Sequence, residues 1–281
     1  NINTYSTNIN GQTFLNYYCN NNNCNFDILY LLICNGFDCN TTDYYSRTPL
    51  FYCLKYKNEI SNLILLIKNT ININQIDYEG NNALLYLIKN NKDLILVDLL
   101  IKNGINVNVK DNVDKNCLFY LLDEQYLNII HLLVKYNINV NHTLSNGRTY
   151  LMKLCSIGLF TIIEYIINYI NNINQFDLNN NNALSYAVGL ESEYSDLDII
   201  KLLINNNCNY KIININGNSL LHIASSVYGY NIIDISILEY LLKLRIDKKN
   251  INKDGNNYLF YIPEEYLEIM LKKNIILKND N

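Results

Sequence analysis

At 281 residues, 49% of them apolar and 17% charged, the chain has the composition of a folded protein and not of a disordered one. A net charge of −4 and a pI near 5.4, with 22 basic residues scattered along the sequence, exclude the clustered Lys and Arg that a nucleic-acid surface requires. The longest aliphatic runs, such as Leu63 to Ile67, fall far short of the roughly 20 residues that cross a bilayer, and no basic-then-apolar leader opens the sequence, so a soluble protein without a signal peptide is expected.

Read in chain order, two short landmarks alternate. "QTFLN" at 12–16 is followed by "ICNGFDCN" from Ile33, then "RTPLF" at 47–51 and "IKNTININ" from Ile67. The alternation continues with "NNALL" at 81–85, "IKNGINVN" from Ile101, "KNCLF" at 115–119, "VKYNINVN" from Val134, "RTYLM" at 148–152 and "INYINNIN" from Ile167. It ends with "NNALS" at 181–185, "INNNCNYK" from Ile204, "NSLLH" at 218–222, "LKLRIDKK" from Leu242 and "NNYLF" at 256–260. The eight-residue segments start 34, 34, 33, 33, 37 and 38 residues apart, a repeat of about 33 residues with small late insertions. One leucine is invariant throughout: Leu15, Leu50, Leu84, Leu118, Leu151, Leu184, Leu221 and Leu259.

The copy at 77–108 gives the element order. Asp77 and Gly80 bracket a tight turn, Asn82 caps a short helix through Leu84, Leu87 and Ile88, and a second helix carries Leu94, Val97, Leu99, Leu100 and Ile101 at three- and four-residue spacings. Gly104 stops it, and "INVN" leads into the next turn. Helices this short do not hold themselves together in water, so the repeats must stack. The excess of Asn, Ile, Tyr and Lys is read as base-composition bias without functional content.

Repeat length, landmark sequence and element order resemble the ankyrin repeat, with its T-P-L-H-x-A signature, over about residues 8 to 273. The resemblance implies an all-α fold: a helical-repeat, right-handed curved solenoid with short β-hairpin loops, in eight repeats at about 8–40, 43–74, 77–108, 111–141, 144–174, 177–211, 214–249 and 252–275, the last a terminal cap. Only Pro49 keeps the signature proline and only His222 the histidine, while Cys53, Leu87, Leu121 and Leu154 replace the small helix residue. A weakened Thr/His hydrogen-bond ladder is therefore expected, with stacking resting on Leu and Ile.

In the family, partner contacts gather at the hairpin tips and the exposed end of the first helix. Carried over by register, the expected contact residues are Tyr44, Tyr45, Arg47, Lys55 and Tyr56, then Tyr78, Glu79, Asn81 and Lys89, and then Asn112, Val113, Lys115, Asp123 and Glu124. Ser145, Asn146 and Arg148 follow, and Leu178, Asn179 and Asn181 after them. Tyr and Arg anchor most protein interfaces, which favours the second and third repeats, although 25 tyrosines also fit the composition bias.

Other chemistry is sparse. Cys19, Cys24, Cys34 and Cys39 have no zinc spacing, and the eight cysteines are expected as reduced thiols. His131, His142 and His222 lie in separate repeats, and His142 is expected in solvent. The acidic stretch 190–198 lacks the ladder of a calcium loop and is read as a helix start capped by Ser195. "IPEEYLEIML" has the faint look of an F-box start but fits the second helix of a repeat, with Pro263 opening it. Asn40, Asn74, Asn108, Asn141 and Asn174 match the position hydroxylated in family members; bracing of the turn is the favoured reading.

The expected function is a non-enzymatic scaffold that binds a partner protein through hairpin tips and the concave helix face. No catalytic residue, cofactor or metal, and no nucleic-acid or membrane partner, is expected. The chain is expected to be monomeric and cytoplasmic, with nuclear entry left open. The alternative is the recognition part of a larger adaptor or host-directed effector, such as a ubiquitin-ligase substrate receptor, whose active flank lies outside a chain that opens on Asn1.

Overall fold

The computed structural model of the chain describes residues 4–21, 24–56, 59–190, 195–226, 234–273 and 275. They belong to two compact units, Asn1–Asn139 and Val140–Asn281, each a stack of helix pairs. In the first unit α1 (Phe14–Cys19) pairs with α2 (Phe26–Cys34), α3 (Pro49–Lys55) with α4 (Ile60–Asn69), and α5 (Ala83–Asn90) with α6 (Leu94–Lys102). Two 3-10 turns, Cys117–Tyr120 and Glu124–Tyr126, then lead into α7 (Leu127–Lys135). In the second unit the pairs are α8 (Tyr150–Ile157) and α9 (Phe160–Ile166), α10 (Ala183–Ala187) and α11 (Leu197–Asn205), and α12 (Leu220–Ser225) and α13 (Ile235–Lys243). A 3-10 turn at Tyr258–Tyr261 and α14 (Glu264–Lys272) close the array. Among the described residues there is no strand, only isolated bridges such as Thr143 to Thr149.

First helices stack on first helices, α1 on α3 on α5 in one unit and α8 on α10 on α12 in the other. The invariant leucine supplies the seam: Leu15, Leu50, Leu84 and Leu118 are buried, as are Leu151, Leu184 and Leu221. Truncating any of them to Ala would cost about 2–5 kcal/mol, the usual range for a fully packed leucine. Leu259 is only half-buried, because Tyr258 takes the inward place in the last repeat.

The fourth and eighth repeats depart from the expected helix pair. Between the cap at Asn116 and the next cap at Asp123, whose side chain accepts from the Gln125 N–H, six residues leave room for one 3-10 turn. In the eighth, Pro263 keeps Ile262 extended and ends the turn at Tyr261. Two smaller expectations also fail. Asp196, not Ser195, caps α11, accepting from the N–H groups of Asp198 and Ile199, while Glu191 to Tyr194 of the acidic stretch lie outside the described residues. His142 is buried, drawn in with the segment that bridges Thr143 to Thr149.

The inter-repeat ladder is not weakened; it is rebuilt from asparagine. In the first unit the Asn74 amide donates to the Gly104 carbonyl at 3.5 Å and its oxygen accepts from the Asn106 N–H at 2.6 Å. Asn108 does the same to Asn137 and Asn139 at 3.0 and 2.6 Å, and Asn40 to Asn69 and Ile71 at 3.5 and 2.7 Å. In the second unit Asn141 reaches Tyr169 and Asn171 at 2.9 and 2.8 Å, and Asn174 reaches Asn207 and Asn209 at 3.2 and 2.6 Å. Each of these carboxamides is a rung that engages a donor and an acceptor of the following repeat. A carboxamide carries both functions, which Thr and His share out in the signature. Within a repeat the cap asparagine closes the unit on itself: Asn82 accepts from Leu85 N–H at 3.0 Å and donates to the Asn106 carbonyl at 2.8 Å. His222 keeps the signature role, bonding Ser219 at 2.9 Å and the Asn256 carbonyl at 3.1 Å.

Candidate functional site

Most hairpins are built on one side chain. The Oδ1 atom of Asp77 accepts from the N–H groups of Glu79 and Asn81, both at 2.9 Å, and Asp43, Asp111, Asp177, Asn214 and Asn252 repeat the arrangement. Nine residues on, a tyrosine hydroxyl donates to the second carboxylate oxygen: Tyr52 to Asp43, Tyr120 to Asp111, and Tyr186 to Asp177 at 2.5 Å. Tyr52, with its phenol beside the Asp43 carboxylate, is pushed up to about 12 by burial and by that bond. Burial raises Asp111, but the Tyr120 hydroxyl, the N–H groups of Lys115 and Val113, and Lys89 outweigh it and hold the carboxyl below its ordinary value. These tyrosines, Tyr52 and Tyr186 buried and Tyr120 half-buried, are structural, and neither a contact surface nor compositional accident explains them.

Neighbouring hairpins are joined through backbone. Tyr44 N–H donates to the Asn10 carbonyl at 3.2 Å, Tyr78 to Tyr45 at 2.8 Å and Asn112 to Glu79 at 2.9 Å; in the second unit Leu178 donates to Asn146 at 3.1 Å and Ile215 to Asn179 at 3.0 Å. Gly80 permits this, since its φ is +84° and a Cβ there would lie 3.1 Å from the Asn112 nitrogen.

The expected contact residues separate into two groups. Tyr44 (73% exposed), Tyr78 (75%) and Val113 (64%) stand out from the tips, with Tyr45, Glu79, Asn112, Ser145, Asn146 and Asn179 also exposed and Leu178 at 72%. Lys55, Asp123 and Glu124 are exposed at the end of the first-helix position, with Lys55 over the ring of half-buried Tyr56. Ile9 and Ile215 occupy the same register and are exposed; sequence reasoning missed them because Asn8 and Asn214 stand where Asp43, Asp77, Asp111 and Asp177 mark other hairpins.

The second group is turned inward. Asn81 is buried at 1% exposure, with its amide on Asp77 at 3.1 Å, and Asn181 is buried on Asp177 in the same way, so both brace hairpins and neither belongs to the surface. Arg47 reaches into the next repeat, 3.7 Å from Asp77 and 4.0 Å from Glu79, with its guanidinium over Tyr45 and Tyr86. Lys89 repeats the step, 3.2 Å from Glu79 and 3.5 Å from Asp111, over Tyr120, and hydrogen bonds from Lys89 and Asn81 hold Glu79 below its ordinary value. Lys115 also lies over Tyr120, and Arg148 over Tyr186. These cations are half-buried; Arg47, Lys89 and Arg148 tie repeats together, while Lys115 stays within its own.

Among the described residues no three His, Cys, Asp or Glu side chains are disposed to hold a metal, and no helix is long and apolar enough to cross a membrane. Seven of the eight cysteines are buried free thiols; Cys34 is exposed.

Stacked helix pairs, hairpins joined tip to tip and a rung between repeats define a helical-repeat protein whose accessible features are surfaces. Comparison with known proteins gives what the chain resembles. The model for ankyrin repeats in three copies matches residues 1–77, and that for a single ankyrin repeat matches 79–112. The crystal structure of the human ASB11 ankyrin repeat domain superposes with a TM-score of 0.63 at 16% identity, covering 82% of this chain and 97% of that one. No curated protein matches the sequence. Ankyrin-repeat models thus match the first 112 residues apart from residue 78, and the described helices have the fold of an ankyrin-type helical repeat.

Proposed function

We propose that the protein is a non-enzymatic scaffold that binds a partner protein along its hairpin tips. Ankyrin repeats generally mediate protein–protein interaction. The observation that carries the reading is the row of exposed apolar tip residues, Ile9, Tyr44, Tyr45, Tyr78 and Val113, on backbone already fixed by hairpin-to-hairpin bonds. A surface ordered before binding loses little entropy on association, and exposed aromatics provide area with a polar handle.

Affinity capture from an extract with the native chain and with a Tyr44→Ser, Tyr78→Ser, Val113→Ser variant tests it. Proteins retained by the native chain and lost from a folded triple variant support the tip surface. Identical retained sets refute it.

A further inference from the structure

The rung position is marked by a local turn in which its N–H bonds the side chain two residues earlier. Asn74 does so to Asn72 at 3.0 Å, Asn108 to Asn106 at 2.9 Å and Asn174 to Asn172 at 3.0 Å. The same bond joins Lys211 to Asn209 at 2.9 Å and Lys249 to Asp247 at 2.9 Å. Lys211 therefore holds the place of a rung asparagine.

Lysine has donors and no acceptor, so half of that rung is missing. In the second and fifth repeats, where Thr70 ends α4 and Ile170 ends the 3-10 turn Ile167–Tyr169 that follows α9, the rung oxygen meets the N–H groups of Ile71 and Asn171. Ile71 and Asn171 lie three residues before the next rung asparagines, Asn74 and Asn174, and Ile246 lies three residues before Lys249, which puts the Ile246 N–H in that register. Neither Ile246 nor Asp247 has an acceptor for its N–H among the described residues. A cleft of about 280 Å³ opens there, lined by Lys211, Ser219, Arg245, Ile246, Asp247 and Asn250 among others. The Asp247 carboxylate is engaged by its own turn, and the Asn250 amide donates to the Gly217 carbonyl at 2.9 Å. Two cations against one carboxylate, with unbonded backbone donors, are left at the cleft.

We propose that this cleft binds an oxyanion, a carboxylate or a phosphate group. Its oxygen replaces the missing asparagine oxygen at the Ile246 and Asp247 N–H groups, while Lys211 and Arg245 supply the countercharge. Bound there, the anion completes the link between the sixth and seventh repeats. The site uses none of the tip residues and stands or falls apart from the tip surface.

The test is thermal unfolding of the full chain in sodium chloride, sodium phosphate and sodium acetate at equal ionic strength. For millimolar affinity, about 10 mM anion raises the midpoint by about 3 °C through preferential binding to the folded state. Lys211→Asn restores the rung: its midpoint in chloride rises above that of the native chain and its anion response disappears, which also subtracts any general salting effect. Arg245→Gln, at an exposed side chain, keeps the fold and loses most of the response. A response to phosphate alone assigns a phosphate group, a response to acetate alone a carboxylate, and both the shared chemistry. No response from the native chain overturns the proposal, as does an equal response in Arg245→Gln or in a folded Lys211→Asn.

Discussion

Asn108 grips the next repeat with both ends of its carboxamide, its oxygen 2.6 Å from the Asn139 nitrogen and its nitrogen 3.0 Å from the Asn137 oxygen. Asn108→Ala removes both bonds and leaves an N–H and a carbonyl to water, at a cost of about 1–3 kcal/mol. Asn108→Asp keeps the acceptor but sets a carboxylate oxygen against the Asn137 carbonyl, so it does not rescue. Urea denaturation should show both variants with lowered midpoints; a native midpoint for either removes the rung from the account.

Tyr186 is buried and its hydroxyl lies 2.5 Å from Asp177 Oδ2. Tyr186→Phe keeps the ring under Arg148 and deletes only the donor, so it destabilises by roughly 1.5–3 kcal/mol, the range for a hydrogen bond to a charged group. Calorimetry on the variant is the check, since a melting temperature within a degree of native would make the bond unimportant.

Gly80 and Gly104 both have φ near +85°, but only at Gly80 would a Cβ meet the neighbouring repeat, 3.1 Å from the Asn112 nitrogen, whereas Gly104 faces open space. Alanine at 104 therefore carries only the left-handed strain, about 1 kcal/mol, and alanine at 80 also displaces the next hairpin. The prediction is an ordering, Gly80→Ala below Gly104→Ala below native in unfolding free energy. Equal losses at the two sites would refute it.

Burial holds the His222 imidazole below its ordinary value, with the Asn256 carbonyl bond partly opposing. As pH falls through about 6.5 the unfolded chain takes up this proton first, so stability is present above that pH and declines below it until the folded imidazole also protonates. The melting temperature should drop between about pH 7 and pH 5.5, and His222→Gln should flatten that slope. An identical slope in the variant would assign the acid sensitivity to other groups.

The period, the leucine seam, the Asn82 cap and the Gly80 and Gly104 turns were legible in the sequence because each is a repeated residue type at a fixed register with one physical role. The rungs were harder to see. Asn74 and Asn108 do specific work in a chain so rich in asparagine that the pattern merges with composition, and the signature that was sought names Thr and His instead. The nine-residue spacing from Asp43 to Tyr52, Asp111 to Tyr120 and Asp177 to Tyr186 was present throughout, and it distinguishes bracing tyrosines from exposed ones such as Tyr44. Burial of Asn81 two residues from exposed Glu79 could not be read, because only the packing of the folded hairpin decides which of the two is covered.

The bonds between hairpins run through backbone atoms, from Tyr78 N–H to the Tyr45 carbonyl and from Asn112 N–H to the Glu79 carbonyl. Any residue other than proline supplies the N–H, and any residue at all the carbonyl, so assembly places almost no chemical demand on the identity of these tip side chains. The carboxylates one position earlier, at Asp77 and Asp111, have no such latitude. On the function proposed above, recognition and architecture are written at separate positions of the same hairpin. Mutation can redraft the first while leaving the second untouched, so specificity can drift faster than the fold that displays it.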